Sequence, residues 1–239
     1  MAFERHYSMS EKNLAGLETV LDAKFHNLDL LRQAVVHRSY INENPNFRLG
    51  HNERLEFLGD AVLELVVTEY LYRNFDNPEG EMTNWRASLV NAKMLAKVAE
   101  EAGFDDYLYL SKGEAKDKNG KARQYILANS VEAIIGALYL DHGIEIAKEF
   151  IHKRILVYLP TILEHKLYID PKTNFQEASQ EKLGITPSYD VLYESGPDHN
   201  KIFRVGVYLE NKLIAEGEGT SKQEAQVAAA ENALQLKGW

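Results

Sequence analysis

Glu56 and Asp60 lie four residues apart in "NERLEFLGDAVLELVV", residues 52–67, a stretch that otherwise reads as an apolar helix. On a helix that spacing puts both carboxylates on one face. Exposed, such a pair repels by only about a few tenths of a kcal/mol. Partly buried, it costs about several kcal/mol unless a cation compensates. The flanking residues are Leu55, Phe57, Leu58, Ala61, Val62 and Leu63, so burial is expected, and with it a cation. Glu53 and Glu64 extend the stripe and are expected to be solvated. A second half-site is "ILANSVEAIIGALYLD", where Asn129 and Glu132 share a helical face. Asn supplies a neutral carbonyl oxygen that can ligate a hard cation. The chain has no cysteine, which excludes disulfides and thiolate metal sites. Oxygen donors point to Mg²⁺ or Mn²⁺.

These side chains need helices to hold them, and the first 166 residues read as helical throughout. "SEKNLAGLETVLDAKF" opens with Ser10 as its N-cap. "NLDLLRQAVVHRSY" follows, then helices over 52–74, near 80–102 and near 121–141, and a last one over "IEIAKEFIHKRILVYLPTILEHK". Gly59, mid-helix, costs roughly 1 kcal/mol against alanine and so predicts close approach by another element. Between two helices, "SKGEAKDKNGKAR" reads as a loop. It brings Lys112, Lys116, Lys118, Lys121 and Arg123 together against Glu114 and Asp117, a set that could reach a phosphate backbone. Pro171 marks a boundary. Beyond it come a short helix ending at Gly184, three strand-like runs ("SYDVLYES", "KIFRVGVYLE", "LIAEGEG") and an alanine-rich helix capped by Thr220 or Ser221. The expected fold class is multidomain: an all-α domain over 1–166, a linker over 167–170 and a small α+β domain of order α-β-β-β-α over 171–239.

Net charge is −9, and residues 171–239 carry 7 Lys/Arg against 10 Asp/Glu. Neither half is basic, so nucleic-acid binding must rest on specific motifs rather than on overall charge. No apolar run approaches the roughly 18 residues of a membrane span, and the N-terminus lacks the apolar core of a signal peptide. A cytoplasmic protein with no membrane partner is expected.

The motifs in their order carry a resemblance. "NERLEFLGDAVLELVVTEYLY" resembles the hallmark of the ribonuclease III family. "HRSYINEN", "WRASLVNAKMLAKVAEEAGFDDYLYLSKGE" and "ILANSVEAIIGALYLD" fit the same family. "DPKTNFQEASQEKLGITPSYDVLYESGPDHNKIFRVGVYL" with "GEGTSKQEAQVAAAENAL" resembles a double-stranded-RNA-binding domain. The resemblance implies a symmetric homodimer that cuts both strands of an RNA duplex with Mg²⁺ (Mn²⁺ could substitute), leaving 5′-phosphates and short 3′ overhangs. It places the catalytic and metal-site groups at Glu56, Asp60, Asn129 and Glu132. It gives Phe57 the role of a knob inserted into the partner protomer. It places RNA contacts at Thr173, Gln176, Glu177 and Gln180, at His199 and Lys201 in the "GPDHNK" loop, and at Ser221 and Lys222, where a helix N-terminus favours phosphate.

Two positions depart from that pattern. The family carries Asp where this chain has Asn129, which keeps the shape and one ligand oxygen but removes a negative charge. Weaker metal binding or a shifted metal preference is expected. The cation that follows Lys222 in the family is Gln223 here, so duplex affinity and its salt dependence are expected to be modest. A duplex-binding protein that does not cleave is the competing reading. A helical interaction protein with an acidic surface is a third, opposed by "GPDHNKIF" and "TSKQEA".

Overall fold

The structure, a computed structural model, describes residues 12–118, 120–197 and 201–239. The chain divides between His165 and Lys166 into two compact units.

The first unit is helical. It comprises α1 (Leu14–Leu21), α2 (Leu28–Ala34), α3 (Arg38–Glu43), α4 (Glu53–Asn74), α5 (Glu79–Val90), α6 (Ala92–Glu101), α7 (Lys121–His142), α8 (Ile144–Arg154) and α9 (Leu159–Glu164), with short 3₁₀ turns at Phe104–Tyr107 and Leu156–Tyr158. Ser10, expected as the first cap, lies outside the described residues; α1 is capped by Asn13, whose side chain accepts the Gly16 N–H. Three long readings break into shorter helices. The helix expected near 80–102 divides at Asn91, which is extended (ψ 157°) and caps α6 by accepting the Met94 N–H. The segment after α7 divides at Ile155–Leu159, and α9 begins beside Pro160. "NLDLLRQAVVHRSY" ends its first helix at Ala34, because Val35 and His37 exchange hydrogen bonds with Tyr109 instead (2.8 and 3.1 Å).

α4 and α7 form the centre of this unit. α7 is buried along most of its length, from Ile126 to Leu138. The two helices approach closely enough to exclude side chains at their crossing: a Cβ on Gly59 would lie 1.7 Å from the Glu132 carbonyl oxygen, and one on Gly136 would lie 2.3 Å from the Leu55 carbonyl oxygen. The start of α4 is fixed by buried Asn52, whose Nδ2 donates to the Ala34 carbonyl (3.2 Å) and whose backbone N–H donates to that of Val36 (2.9 Å).

The second unit has the order α10 (Pro171–Leu183), β1 (Ser188–Ser195), β2 (Ile202–Leu209), β3 (Lys212–Gly219) and α11 (Lys222–Lys237). The three strands form one antiparallel sheet in the order β1-β2-β3. A two-residue turn at Glu210–Asn211, with Glu210 at φ 54°, joins β2 to β3. Phe175 from α10 packs with Val207, Leu209 and Ala215 of the sheet and Ala229, Ala230 and Ala233 of α11. The small residues of α11 let it lie against β3, where a Cβ on Gly217 would fall 2.1 Å from the Ala229 nitrogen. Of the two caps expected for α11, Ser221 serves, accepting the Glu224 N–H. No helix among the described residues is long and apolar enough to cross a membrane.

Candidate metal centre and nucleic-acid interface

The α4–α7 crossing brings the carboxylate half-sites together. Gly59 meets the backbone of Glu132, so Glu56, three residues before it on α4, and Asp60, the residue after it, lie beside the position from which Glu132 projects. The electrostatics register this proximity. Burial pushes Glu132 up to about 8, and the charges of Asp60 and Glu56 add to it, with no cation pulling it down. Burial also raises Glu56, with Glu53 and Asp60 contributing. A hydrogen bond from the Asn129 side chain acts the other way on Glu56. A carboxylate can only accept, so the Asn129 amide nitrogen is the donor. At neutral pH, then, Glu132 retains a proton and Asn129 supports the charge on Glu56.

Burial differs from the expectation at Asp60. Glu56 is half-buried, but Asp60 is exposed, and so are Phe57 (80%) and Ala61. Of the apolar neighbours of the acidic pair, Phe57 and Ala61 face outward, while Leu55, Val62 and Leu63 are buried. Phe57, Ala61, Leu65 (61% exposed) and Tyr72 (77%) make an outward stripe along α4. Glu53 and Glu64 are ion-paired rather than merely solvated: Glu53 with Arg38 (3.4 Å) and His51 (3.7 Å), Glu64 with Arg86 (2.9 Å). The donor set suits a hard divalent cation. It offers only oxygen, from three carboxylates and an amide, and its raised carboxyl groups gain by having positive charge nearby.

In the second unit, Thr173, Gln176, Glu177 and Gln180 are exposed on one face of α10, while Phe175 and Ser179 face its core. Lys201 is half-buried and its ammonium lies 2.9 Å from Glu194, so its charge is already engaged. His199 lies outside the described residues. Ser221 is occupied as the α11 cap, and Lys222 is exposed, its ammonium 5.8 Å from the centre of the Phe203 ring. Glu224 accepts from the Thr220 N–H (3.0 Å) and hydroxyl (2.7 Å), which puts an acid in the first turn of α11. Back in the helical unit, the basic loop loses one expected member. Arg123 is buried, bonded to Asp105 and to the Glu114 carbonyl (3.5 Å), so it cannot reach a phosphate.

Comparison with known proteins gives the family. A "Ribonuclease-III-like" family model matches residues 27–159. The chain belongs to the ribonuclease III family. A "Double-stranded RNA binding motif" model matches residues 171–237. Ribonuclease 3 of Carboxydothermus hydrogenoformans is 45% identical over 229 residues, covering 95% of this chain and 97% of the relative. Ribonuclease 3 of Dehalococcoides mccartyi is 43% identical over 224 residues, covering 93% and 94%. The solved nuclease domain of ribonuclease III from Campylobacter jejuni is 41% identical with a TM-score of 0.55, covering 62% of this chain and 97% of that one. A second structure of that domain, 40% identical, is described by flexibility in a region involved in dimer formation.

Within this member of the ribonuclease III family, several structural partners had no readable sign in the sequence. The Arg86–Glu64 and Arg123–Asp105 pairs join residues 22 and 18 positions apart, which no local spacing rule links. Gly136 did carry a signal. It is a glycine inside an apolar helix, like Gly59, and the two mark the same crossing.

Proposed function

We propose that the chain is a double-strand-specific endoribonuclease that hydrolyses phosphodiesters on both strands as a Mg²⁺-dependent homodimer. Membership of the ribonuclease III family makes the chain an endoribonuclease. Products with 5′-phosphate and 3′-hydroxyl ends and short 3′ overhangs, a role in rRNA and mRNA processing, and a cytoplasmic setting are part of the same reading. The observation that carries the site assignment is the α4–α7 crossing at Gly59, which gathers Glu56, Asp60, Asn129 and Glu132 at one place.

In this reading Glu56, Asp60 and Glu132 hold the cation through carboxylate oxygens and Asn129 through its amide oxygen; Mn²⁺ could take the place of Mg²⁺. Bound there, Mg²⁺ would supply an activated water and stabilise the negative charge developing on the phosphate. Glu132 must release its carboxyl proton to serve as a ligand. The amide of Asn129 must turn its oxygen inward, giving up its hydrogen bond to Glu56. The exposed α10 face, with Lys222 and Ser221 at the start of α11, would lie along the minor groove of the duplex. The outward stripe of Phe57, Leu65 and Tyr72 supports a second protomer covering it.

Asn129 favours one alternative, a duplex binder that cleaves poorly or not at all. Cleavage of a long RNA duplex in Mg²⁺ by the chain and by Asn129→Asp separates the two. Restoring the carboxylate is expected to raise the rate about tenfold, or about 1.4 kcal/mol of barrier. Equal, substantial rates would remove the idea that Asn129 impairs the site. Duplex binding without cleavage in either Mg²⁺ or Mn²⁺ would select the alternative.

A further inference from the structure

Among the described residues, the one group of three His, Asp or Glu side chains whose ligand atoms all lie within 4.8 Å of one another is His26, Asp141 and His142. The carboxylates of Glu56, Asp60 and Glu132 do not form such a group. Asp141 and His142 are the last two residues of α7, nine and ten positions beyond Glu132. That is about 13–15 Å along the helix axis, so the two sites are distinct.

Asp141 is rigidly placed. Its Oδ2 accepts the His26 backbone N–H at 2.8 Å, and its Oδ1 accepts that of Asn27 at 2.9 Å. The side chain is only 3% exposed. Burial alone would raise its carboxyl, but those two backbone donors, His26 and then His142 outweigh it, so the group sits below its ordinary range and stays ionised. Oδ2 then faces two imidazole nitrogens at the same distance, His26 Nδ1 at 3.2 Å and His142 Nε2 at 3.2 Å.

Hydrogen bonding accounts for the first imidazole and not the second. His142 Nε2 is buried and has no hydrogen-bond partner despite its nearness to Oδ2. Its ring is held from outside the cluster by Phe25, edge-on at 5.5 Å, and lies 5.0 Å from the His26 ring. A buried nitrogen 3.2 Å from a carboxylate oxygen, without a hydrogen bond to it, has the spacing of a ligand beside a co-ligand. In a tetrahedral site with bonds of about 2.0–2.1 Å, neighbouring ligand atoms lie about 3.3–3.4 Å apart. The two 3.2 Å separations are close to that edge. The site also sits at the C-terminus of a long helix, where the partial negative charge of unpaired carbonyls favours a cation. His26 is 80% exposed, so solvent can supply a fourth ligand.

We propose that His26, Asp141 and His142 form a second metal site, for a Zn²⁺-class transition ion, joining the entry of α2 to the end of α7. Two imidazole nitrogens and one carboxylate select such an ion over Mg²⁺, which prefers oxygen.

Cobalt is the probe, because low-coordinate Co²⁺ absorbs visibly whereas Mg²⁺ and Zn²⁺ do not. Metal-stripped full-length protein is titrated with Co²⁺ in excess Mg²⁺, which occupies the carboxylate centre. One equivalent of Co²⁺ is expected to give a low-coordinate spectrum that one equivalent of Zn²⁺ abolishes. His26→Ala and His142→Ala should each weaken binding at least tenfold, and Glu132→Gln should leave it unchanged. The exposure of His26 makes H26A the decisive variant, with its melting temperature in EDTA as the folding control. Absence of Co²⁺ binding in excess Mg²⁺ would overturn the proposal. So would a spectrum unchanged in H26A, or one lost in E132Q instead. None of these outcomes depends on cleavage, so the test stands apart from the nuclease reading.

Discussion

Glu132 is the residue whose folded environment most opposes its charge. Its pKa rises from an ordinary 4.5 to about 8, through burial first and the charges of Asp60 and Glu56 second. Between those values the folded protein holds a proton that the unfolded chain has released, so stability falls as pH rises through that window. Half-buried His37 tilts the other way, since burial lowers its pKa and protonation below its unfolded value disfavours the fold. The difference between wild type and Glu132→Gln isolates the carboxyl. In EDTA the variant should match wild type near pH 4, below the unfolded-state value, and melt a few degrees higher at pH 8.5, at about 2–4 °C per kcal/mol for a chain of this size. Mg²⁺ should remove that advantage at pH 8.5 by favouring the ionised native carboxylate. Calorimetry across pH, with and without metal, reads both, and a variant advantage that stayed flat with pH would refute the assignment. At this scale the sequence was partly legible. Acids among apolar neighbours mark Glu56 and Asp60 as unusual, but those neighbours do not bury Asp60; Phe57 and Ala61 are exposed beside it. The hydrogen bond between Asn129 and Glu56 spans 73 positions and has no local sign.

At the scale of elements, Gly59 was readable because a mid-helix glycine is unfavourable unless something needs the space. That something is the α7 backbone at Glu132 and Gly136. The atoms a side chain would strike are main chain, so they cannot rotate away. Gly59→Ala is therefore expected to cost toward or beyond the upper end of the about 1–3 kcal/mol typical of overpacking. It should also depress cleavage by moving Glu132 away from Glu56 and Asp60. Gly80 is the internal control. It too is helical, but nothing lies within 4 Å of an added Cβ. Gly80→Ala should stabilise by about 0.4–1 kcal/mol. Urea melts of both variants check the pair, and similar small effects would mean the crossing is looser than drawn. Strands and long helices followed the period of their apolar residues, and α4, α7 and the three strands lie where that pattern puts them. The breaks at Val35, Asn91 and Ile155 did not. Each interrupts a segment whose composition still suits a helix: backbone hydrogen bonds to Tyr109 decide the outcome at Val35 and a competing cap at Asn91, while after Ile155 the chain restarts as a helix beside Pro160.

For the whole molecule, acidity and exposed apolar surface bear on the same question. A net charge of −9 opposes duplex RNA, and the cations available to meet it are few: Arg123 is buried and Lys201 is paired with Glu194. One RNA-binding domain with so few free cations gives a shallow salt dependence, since the slope scales with phosphates neutralised. Two domains on one duplex would double that slope and raise affinity through effective concentration. The α4 stripe offers the means of pairing, with Phe57 80% exposed, Leu65 61% and Tyr72 77%. Phe57→Asp places a charge at the N-terminal end of that stripe, on its most exposed member, without disturbing the core, because the side chain already faces outward. Sedimentation should give twice 27.2 kDa for wild type and a single chain for the variant. The melting temperature of the variant's small domain should not change, because its core is complete within residues 175–239. The slope of log K against log salt for duplex binding should fall by about half. A variant that stayed dimeric would move the interface off α4. One that became monomeric with an unchanged slope would show that the second protomer adds no phosphate contacts, leaving the grip on RNA to a single domain.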